Sequence, residues 1–397
     1  MTHFPPWTIR NFTKSLGKFV LRTQIAAALL CGGVGAQVVA AARANQTTPP
    51  TSPTPPTSPT LIATPTPPTS PTLTATPSPP TSSPPPTSPT LTATPSSPPT
   101  TTAPASVQVL TLDLGCAGER NKLTDQERVA RAQKILEDYP VDIVFVARGE
   151  CAATALAAAT HRTWIALPGA GRGAGVITSW AQSPVEEGEL WKGIGVRLAA
   201  PNGREVVAFA IAFPFAPYQP YQLCGVPHDE QPFLNSAEAA HTMANTTRGL
   251  QSEQLAVAAR AATAAGYAVI AAGMVNEPSA SDWCDQAVAA ELCPMRVAWP
   301  SVRNIERAGL RDAFRAAHVN VVESAGATWP ALALKRDRSD RVDFIFTNTR
   351  LRCEAIDILG ESGAASVRNP KPLAGGLPGE HRALRGQFQW NETSSAK

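Results

Sequence analysis

Asp113, Arg148, Glu150, Asn276, Asp343, Glu380 and His381 are side chains of types that can bind a cation, bind an anion or move a proton. Carboxylates and a side-chain amide are the oxygen donors that a hard cation such as Mg²⁺ takes. A guanidinium instead grips phosphate or carboxylate through two parallel N–H donors. Met274, two residues before Asn276, serves neither end. Its thioether is a poor ligand for a hard cation and accepts no proton from water at neutral pH. Glu150 lies two residues beyond Arg148, and the strand period of two would set both on one face. Three arrangements are open. Asp113, Glu150, Glu380 and Asn276 make a displaced cation site; or Arg148 binds an anion bidentately without turnover; or Arg148 pairs with Asp113 or Asp343 and Glu150 is a solvated loop acid.

The elements that must position these groups alternate between helix and strand. Thr124-x-x-Glu127 is a capping box that opens a helix to Tyr139, with Val129, Ala132, Ile135 and Leu136 on one face and Pro140 as the stop. A buried strand over Val141–Ala147 follows and leads into Arg148. Pro201-Asn202-Gly203 between two apolar runs, Val196–Ala199 and Val206–Phe213, signals a hairpin with a type I′ turn. Residues 236–264 read as a long Ala-rich helix that Gly266 stops before a strand over Tyr267–Ala272.

Seven segments in order across residues 106–390 carry a family resemblance. Ala272-Gly273-Met274-Val275-Asn276-Glu277-Pro278 resembles the Gly-Asp-Phe-Asn-Glu-Pro loop of the endonuclease/exonuclease/phosphatase superfamily, the DNase-I-like phosphoesterases. Ser106–Leu114 resembles the opening strand, with Asp113 in an Asn place, and Asp142–Arg148 resembles the second motif. Val207–Phe213, Trp299-Pro300-Ser301 with Ala308–Arg315 and Gly326–Trp329, Asp340–Ile345 and Pro378–Leu384 are similar to later motifs. Pro217–Leu223 is similar to a loop of a secreted branch.

The resemblance implies a four-layered α/β/β/α sandwich, two facing mixed β-sheets covered by helices, with the site loops at one end. It implies one Mg²⁺ held by carboxylates and an amide, which polarises a phosphoryl oxygen, and a His–Asp pair acting on water or phosphorus. On that pattern Asn276, Asp343 and His381 persist, Glu380 stands in for Asp, and Asp113 for Asn. The metal-binding Glu becomes Arg148, a catalytic His becomes Ala212, and the Asp beside the water becomes Met274. His228-Asp229-Glu230 is a loop that could return a side chain to the gap at Ala212; surface charge is the plainer reading. His241 reads as a helix-face residue, and Trp283, Trp299 and Trp329 as core or rim packing.

Residues 1–105 contain five basic residues and no acid, which leaves 29 basic against 31 acidic beyond them. That balance gives no nucleic-acid footprint, which needs concentrated Lys and Arg. A basic stretch, an apolar run from Ile25 to about Ala42 and Ala42-Arg43-Ala44 give residues 1–44 the order of a secretory signal, with an uncleaved membrane anchor as the competing reading. Residues 45–105 repeat Pro-Pro-Thr-Ser-Pro-Thr-Leu-x-Ala-Thr-Pro from Pro55, Pro67 and Pro85. Such a composition cannot repay chain entropy and reads as an extended stalk. Residues 106–390 form the folded domain and 391–397 a tail. Asn45, Asn245 and Asn391 head Asn-x-Thr sequons.

Export predicts disulfides among the six cysteines of the domain. Cys284 and Cys293 bracket a short loop and can close on each other. The resemblance makes the strand ends before Cys116 and Cys151 neighbours, so a second bridge would lie at the mouth of the pocket. The expectation is a secreted or surface-tethered phosphoesterase-fold protein, catalytically degenerate and needing no cofactor. Two alternatives are an active Mg-dependent hydrolase with a shifted metal site and a metal-independent module for phosphorylated or other anionic ligands.

Overall fold

A computed structural model describes residues 106–391, apart from 117, 119–121, 187, 229, 331–338, 361–372 and 374. The expected signal, the stalk, residues 392–397 of the tail and Asp229 lie outside the described residues. Twelve strands form two mixed sheets of six among the described residues. The first runs β11–β12–β1–β2–β4–β3, from β1 (Ser106–Asp113), β2 (Ile143–Ala147), β3 (Thr163–Ala166), β4 (Gly175–Thr178), β11 (Leu351–Leu359) and β12 (Ala383–Trp390). The second runs β5–β6–β7–β8–β10–β9, from β5 (Ala181–Ser183), β6 (Gly195–Ala199), β7 (Glu205–Ala212), β8 (Ala268–Met274), β9 (Arg311–Asp312) and β10 (Asp343–Thr347).

The sheets face each other across an apolar core to which Val107, Val109 and Phe145 contribute from one side and Val196, Ala208, Ile270 and Ile345 from the other. Because side chains alternate along a strand, Leu110, Leu112, Val144 and Val146 point outward. There they pack against Ala132, Ile135 and Leu136 of helix α1 (Asp125–Asp138) and Leu156 of α2 (Ala153–Ala159). A short helix, α3 (Gln219–Cys224), then precedes α4 (Ala237–Ala264), whose Leu255, Ala258 and Ala262 cover Phe209 and Ala271 on the far face of the second sheet. The result is the α/β/β/α sandwich that the sequence implies. No described helix is long and apolar enough to cross a membrane.

Local signals mostly hold. Thr124 and Glu127 form the capping box reciprocally, and Ser236 caps α4. The β6–β7 turn differs: Asn202 does not take a positive φ, only Gly203 does (φ 79°), and Gly203 N–H donates to Ala200 C=O at 2.9 Å. Pro201, with its fixed negative φ, sits at the first central position and excludes the type I′ geometry.

Two parallel pairings aim the chemistry at one end. β1 runs parallel to β2 with Asp113 opposite Ala147, and β7 parallel to β8 with Ala212 opposite Met274. Antiparallel β10 brings Asp343 opposite the same Met274.

Candidate functional site

Asp113 ends β1, Arg148 immediately follows β2, and Glu380-His381 precede β12, so the register collects them at one end of the central strands of the first sheet. Arg148 has φ 47°, a left-handed backbone that costs a residue with a Cβ about 1–2 kcal/mol. Its fork is then committed to two carboxylates. Nε donates to Asp113 Oδ1 at 2.8 Å, Nη2 donates to Asp113 Oδ2, and Nη1 donates to Glu380 Oε2 at 2.8 Å. Asp113 also accepts from the backbone N–H groups of Gly115 (2.8 Å), Glu380 (2.7 Å) and His381 (3.2 Å). Burial pushes the Asp113 carboxyl up, but the charges of Arg148 and His381 and these hydrogen bonds outweigh it and bring it down to about 2. Burial lowers the Arg148 pKa, and the two carboxylates raise it further, to a net increase.

Gly379 makes the cluster compact. A Cβ there would stand 2.3 Å from Asp113 Oδ2, so a side chain at this position would displace the carboxylate.

The second half of the cluster is a buried pair. His381 Nδ1 lies 2.8 Å from Asp343 Oδ2, and Asp343 N–H donates to Thr328 Oγ1 at 3.1 Å. Half-buried Trp329 lies beside the imidazole, ring centroids 6.1 Å apart, and meets Tyr218 edge-to-face and Tyr221 at a tilt. Asn276 adopts φ 57° and donates through Nδ2 to Phe213 C=O at 2.7 Å, which ties its amide to the end of β7. Met274 is buried between Ala212 and Asp343, so positions 212 and 274 are adjacent.

The structure takes the third of the three arrangements open to the sequence, with Glu380 as an added partner. Asp343 pairs with His381 and not with Arg148. The displaced cation site is not assembled, because Glu150 accepts from Arg172 Nε at 2.7 Å on an exposed surface. The strand ends at Ala147 and Arg148 turns left-handed, so the period of two does not carry through to Glu150. Arg148 as an anion clamp meets a similar obstacle: its donors face two carboxylates, which repel an incoming anion. A Mg²⁺ ion does not fit this cluster either. The carboxylates that would hold it are engaged by a fixed cation, and a cation near 4 Å from a guanidinium costs about 4 kcal/mol per unit charge at an effective dielectric of 20. Among the described residues, no group of three or more His, Cys, Asp or Glu side chains is placed to hold a metal ion.

Cys116 and Cys151 form a disulfide with Cα atoms 5.7 Å apart, at the mouth of the cluster as the resemblance implies. Cys284 and Cys293 are not joined. The short helix α5 (Asp285–Ala289) takes up the chain between them, and Cys293 packs in an apolar cluster with Trp283 and Trp299. Those two indoles meet edge-to-face at 5.1 Å, which is core packing. His241 Nδ1 lies 2.6 Å from Ala298 C=O, a helix-face contact, and His228 meets the Tyr221 ring at 5.4 Å.

Sequence reasoning missed the role of Glu277. Fully buried, it accepts from Ser301 N–H at 2.7 Å and Ser301 Oγ at 2.9 Å, with Arg248 Nη1 at 3.8 Å. It fixes the Asn276 loop onto helix α6 (Pro300–Arg307). The signal was present as Asn-Glu-Pro and Trp-Pro-Ser, two motifs distant in sequence whose partnership no spacing reveals.

The fold is a sandwich of two mixed six-stranded sheets covered by helices, with this cluster gathered at its strand ends. The chain is similar to a Neisseria 3′ phosphatase solved with product DNA hairpin: 13% identity, TM-score 0.43, 72% of this chain and 100% of that one covered. It is similar to an endonuclease/exonuclease/phosphatase from Bacteroides vulgatus (12% identity, TM-score 0.41, 72% and 99% covered). An AP endonuclease from Archaeoglobus fulgidus is a further likeness (11% identity, TM-score 0.42, 70% and 98% covered). No family model matches the sequence, and no curated protein does.

Proposed function

We propose that this chain is a secreted or surface-tethered domain of the phosphoesterase fold that has lost metal-dependent hydrolysis. The observation that carries the reading is the Arg148 guanidinium spanning Asp113 and Glu380. A divalent cation in this fold supplies the positive charge that polarises a phosphoryl oxygen. Here a positive charge is present, but each of its three nitrogens donates to a protein carboxylate. Asp343 still holds the His381 imidazole by Nδ1, so a proton acceptor survives without an activated electrophile beside it. The side chains at Ala212 and Met274 offer no proton transfer.

Export is supported by the basic, apolar and small-residue order of residues 1–44 and by the Cys116–Cys151 bridge. N-terminal sequencing of protein from the extracytoplasmic fraction tests it; a chain recovered wholly in the cytoplasm with reduced cysteines ends it.

Hydrolysis of bis(p-nitrophenyl) phosphate and p-nitrophenyl phosphate by the full chain, with millimolar Mg²⁺ or Mn²⁺, tests the loss of activity. The expected rate equals that of the metal in buffer. Turnover that EDTA abolishes would establish the active alternative instead.

A further inference from the structure

We propose that the Cys116–Cys151 disulfide is a latch that keeps Arg148 on Asp113 and Glu380, and that reducing it releases the arginine. This deepens the reading that a guanidinium holds the cation's place, and rests on it. Two cross-connections join the same pair of loops with the same sequence separation of 35: the Arg148–Asp113 ion pair and, three residues further along each loop, the disulfide. Between them the backbone is laced by Leu114 N–H to Ala147 C=O and Cys116 N–H to Arg148 C=O, both 3.1 Å. Gly118, two residues beyond Cys116, lies against the second carboxylate: a Cβ there would stand 2.9 Å from Glu380 Oε1. Arg148 itself holds a left-handed backbone that its neighbours must impose. Removing the covalent tie removes the strongest of those constraints.

The bridge is open to attack from one side, because Cys151 is exposed while Cys116 is buried. A small dithiol supplies the chemistry. Its thiolate displaces Cys116 sulfur from Cys151, its second thiol resolves the mixed disulfide, and two electrons and two protons end on the two cysteines as the dithiol cyclises.

The test compares oxidised full chain with the same protein reduced by dithiothreitol and desalted without air. Hydrogen exchange at Cys116, Arg148 and Gly149 is expected to rise at least tenfold on reduction, with Val109 and Ile143 unchanged. Mn²⁺ serves as probe of the vacated carboxylates: its free electron-spin-resonance signal should fall with reduced protein, stay with oxidised protein, and be restored by Asp113→Asn. A Cys116→Ser/Cys151→Ser variant should behave as the reduced form without reductant; if it fails to fold, the reduced wild type decides alone. Equal exchange in both redox forms overturns the latch. Faster exchange without Mn²⁺ uptake overturns the release of Arg148. Mn²⁺ uptake by the oxidised protein sinks the functional reading itself, an outcome distinct from the other two.

Discussion

Arg341 and Arg148 each bridge two carboxylates, and their surroundings make them different devices. Arg341 is buried in the scaffold, donating to Asp312 at 3.0 and 2.6 Å and to Asp282 at 2.8 Å. Its plane lies over Phe344 at 4.3 Å, and Asp282 is shared with Arg315 at 2.7 Å. Asp312 at the same time caps the short helix α7 (Ala313–Ala317). Every partner is a structural element, so this arginine ties the second sheet to its loops. Arg148 keeps 18% of its side chain exposed at the sheet's open end, in a left-handed backbone, on the carboxylates of Asp113 and Glu380. The same chemistry serves stability in one place and, on the reading proposed above, takes a cation's place in the other.

The comparison breaks first on stability. Arg341→Leu leaves Asp282 and Asp312 buried with less compensation, and losing one partner of a buried pair costs about 3–5 kcal/mol. Urea melts of the full chain should show that loss, with no recovery on adding Mg²⁺. Arg148→Gln should cost less, about 2 kcal/mol, because Glu380 can relax toward water. Millimolar Mg²⁺ should recover part of that loss, since the emptied carboxylates can now take a cation. A variant at Arg148 indifferent to Mg²⁺ would make both arginines scaffold.

Acid sharpens the same contrast. Asp113 has a folded pKa of about 2 against an ordinary 3.8, so its stabilising contribution is fully present above about pH 4 and is lost as pH falls through 2. The difference corresponds to about 2 kcal/mol between those limits. In Arg148→Gln the acid limb of the stability curve should move upward in pH; the urea midpoint measured from pH 5 to pH 2 reads it. An unmoved acid limb would mean that the backbone donors alone hold Asp113 ionised.

Strand runs such as Val141–Ala147 and the Thr124 capping box were legible because their signals are local and periodic. The motif order likewise placed Asp113, Asn276, Asp343, Glu380 and His381 at one end. Arg148 was harder. Which carboxylate it grips depends on a backbone turn at one residue and on Glu380, 232 positions away. The same turn made Glu150 misleading, since a face argument fails once the strand has ended. Arg248, buried against the C=O groups of Pro214, Phe215 and Pro217, gave no sequence signal at all, because nothing in an Ala-rich helix marks which polar residue points inward.

Installing the pattern that the resemblance implies tests how local the proposed loss is. Met274 lies opposite both Ala212 and Asp343, so new side chains at 212 and 274 would stand beside the His381–Asp343 pair. Arg148→Glu, Ala212→His and Met274→Asp together should give Mg²⁺-dependent stabilisation of about 1.4 kcal/mol at tenfold excess over Kd. Single changes at 212 or 274 should do little, since residues acting as one unit are non-additive. A melt of the triple variant unmoved by Mg²⁺ would place the defect in the loops rather than in the three side chains.

The smallest effect is the most discriminating control. In wild type, with Arg148 in place, a Kd of tens of millimolar for Mg²⁺ gives a gain below about 0.1 kcal/mol at millimolar metal, invisible in a melt. Glu150 pairs with Arg172 where both side chains meet water, 36% and 68% exposed. Such pairs are worth roughly 0–1 kcal/mol, so Glu150→Gln should shift the urea midpoint by less than about 0.5 kcal/mol. It should leave the response to Mg²⁺ as flat as before. A clear Mg²⁺-dependent melt shift in wild type that Glu150→Gln removes would mean that Glu150 leaves Arg172 for a cation. The contrast between the two arginines would then describe only the metal-free protein, and Arg148 would be a displaceable guard rather than a fixed replacement.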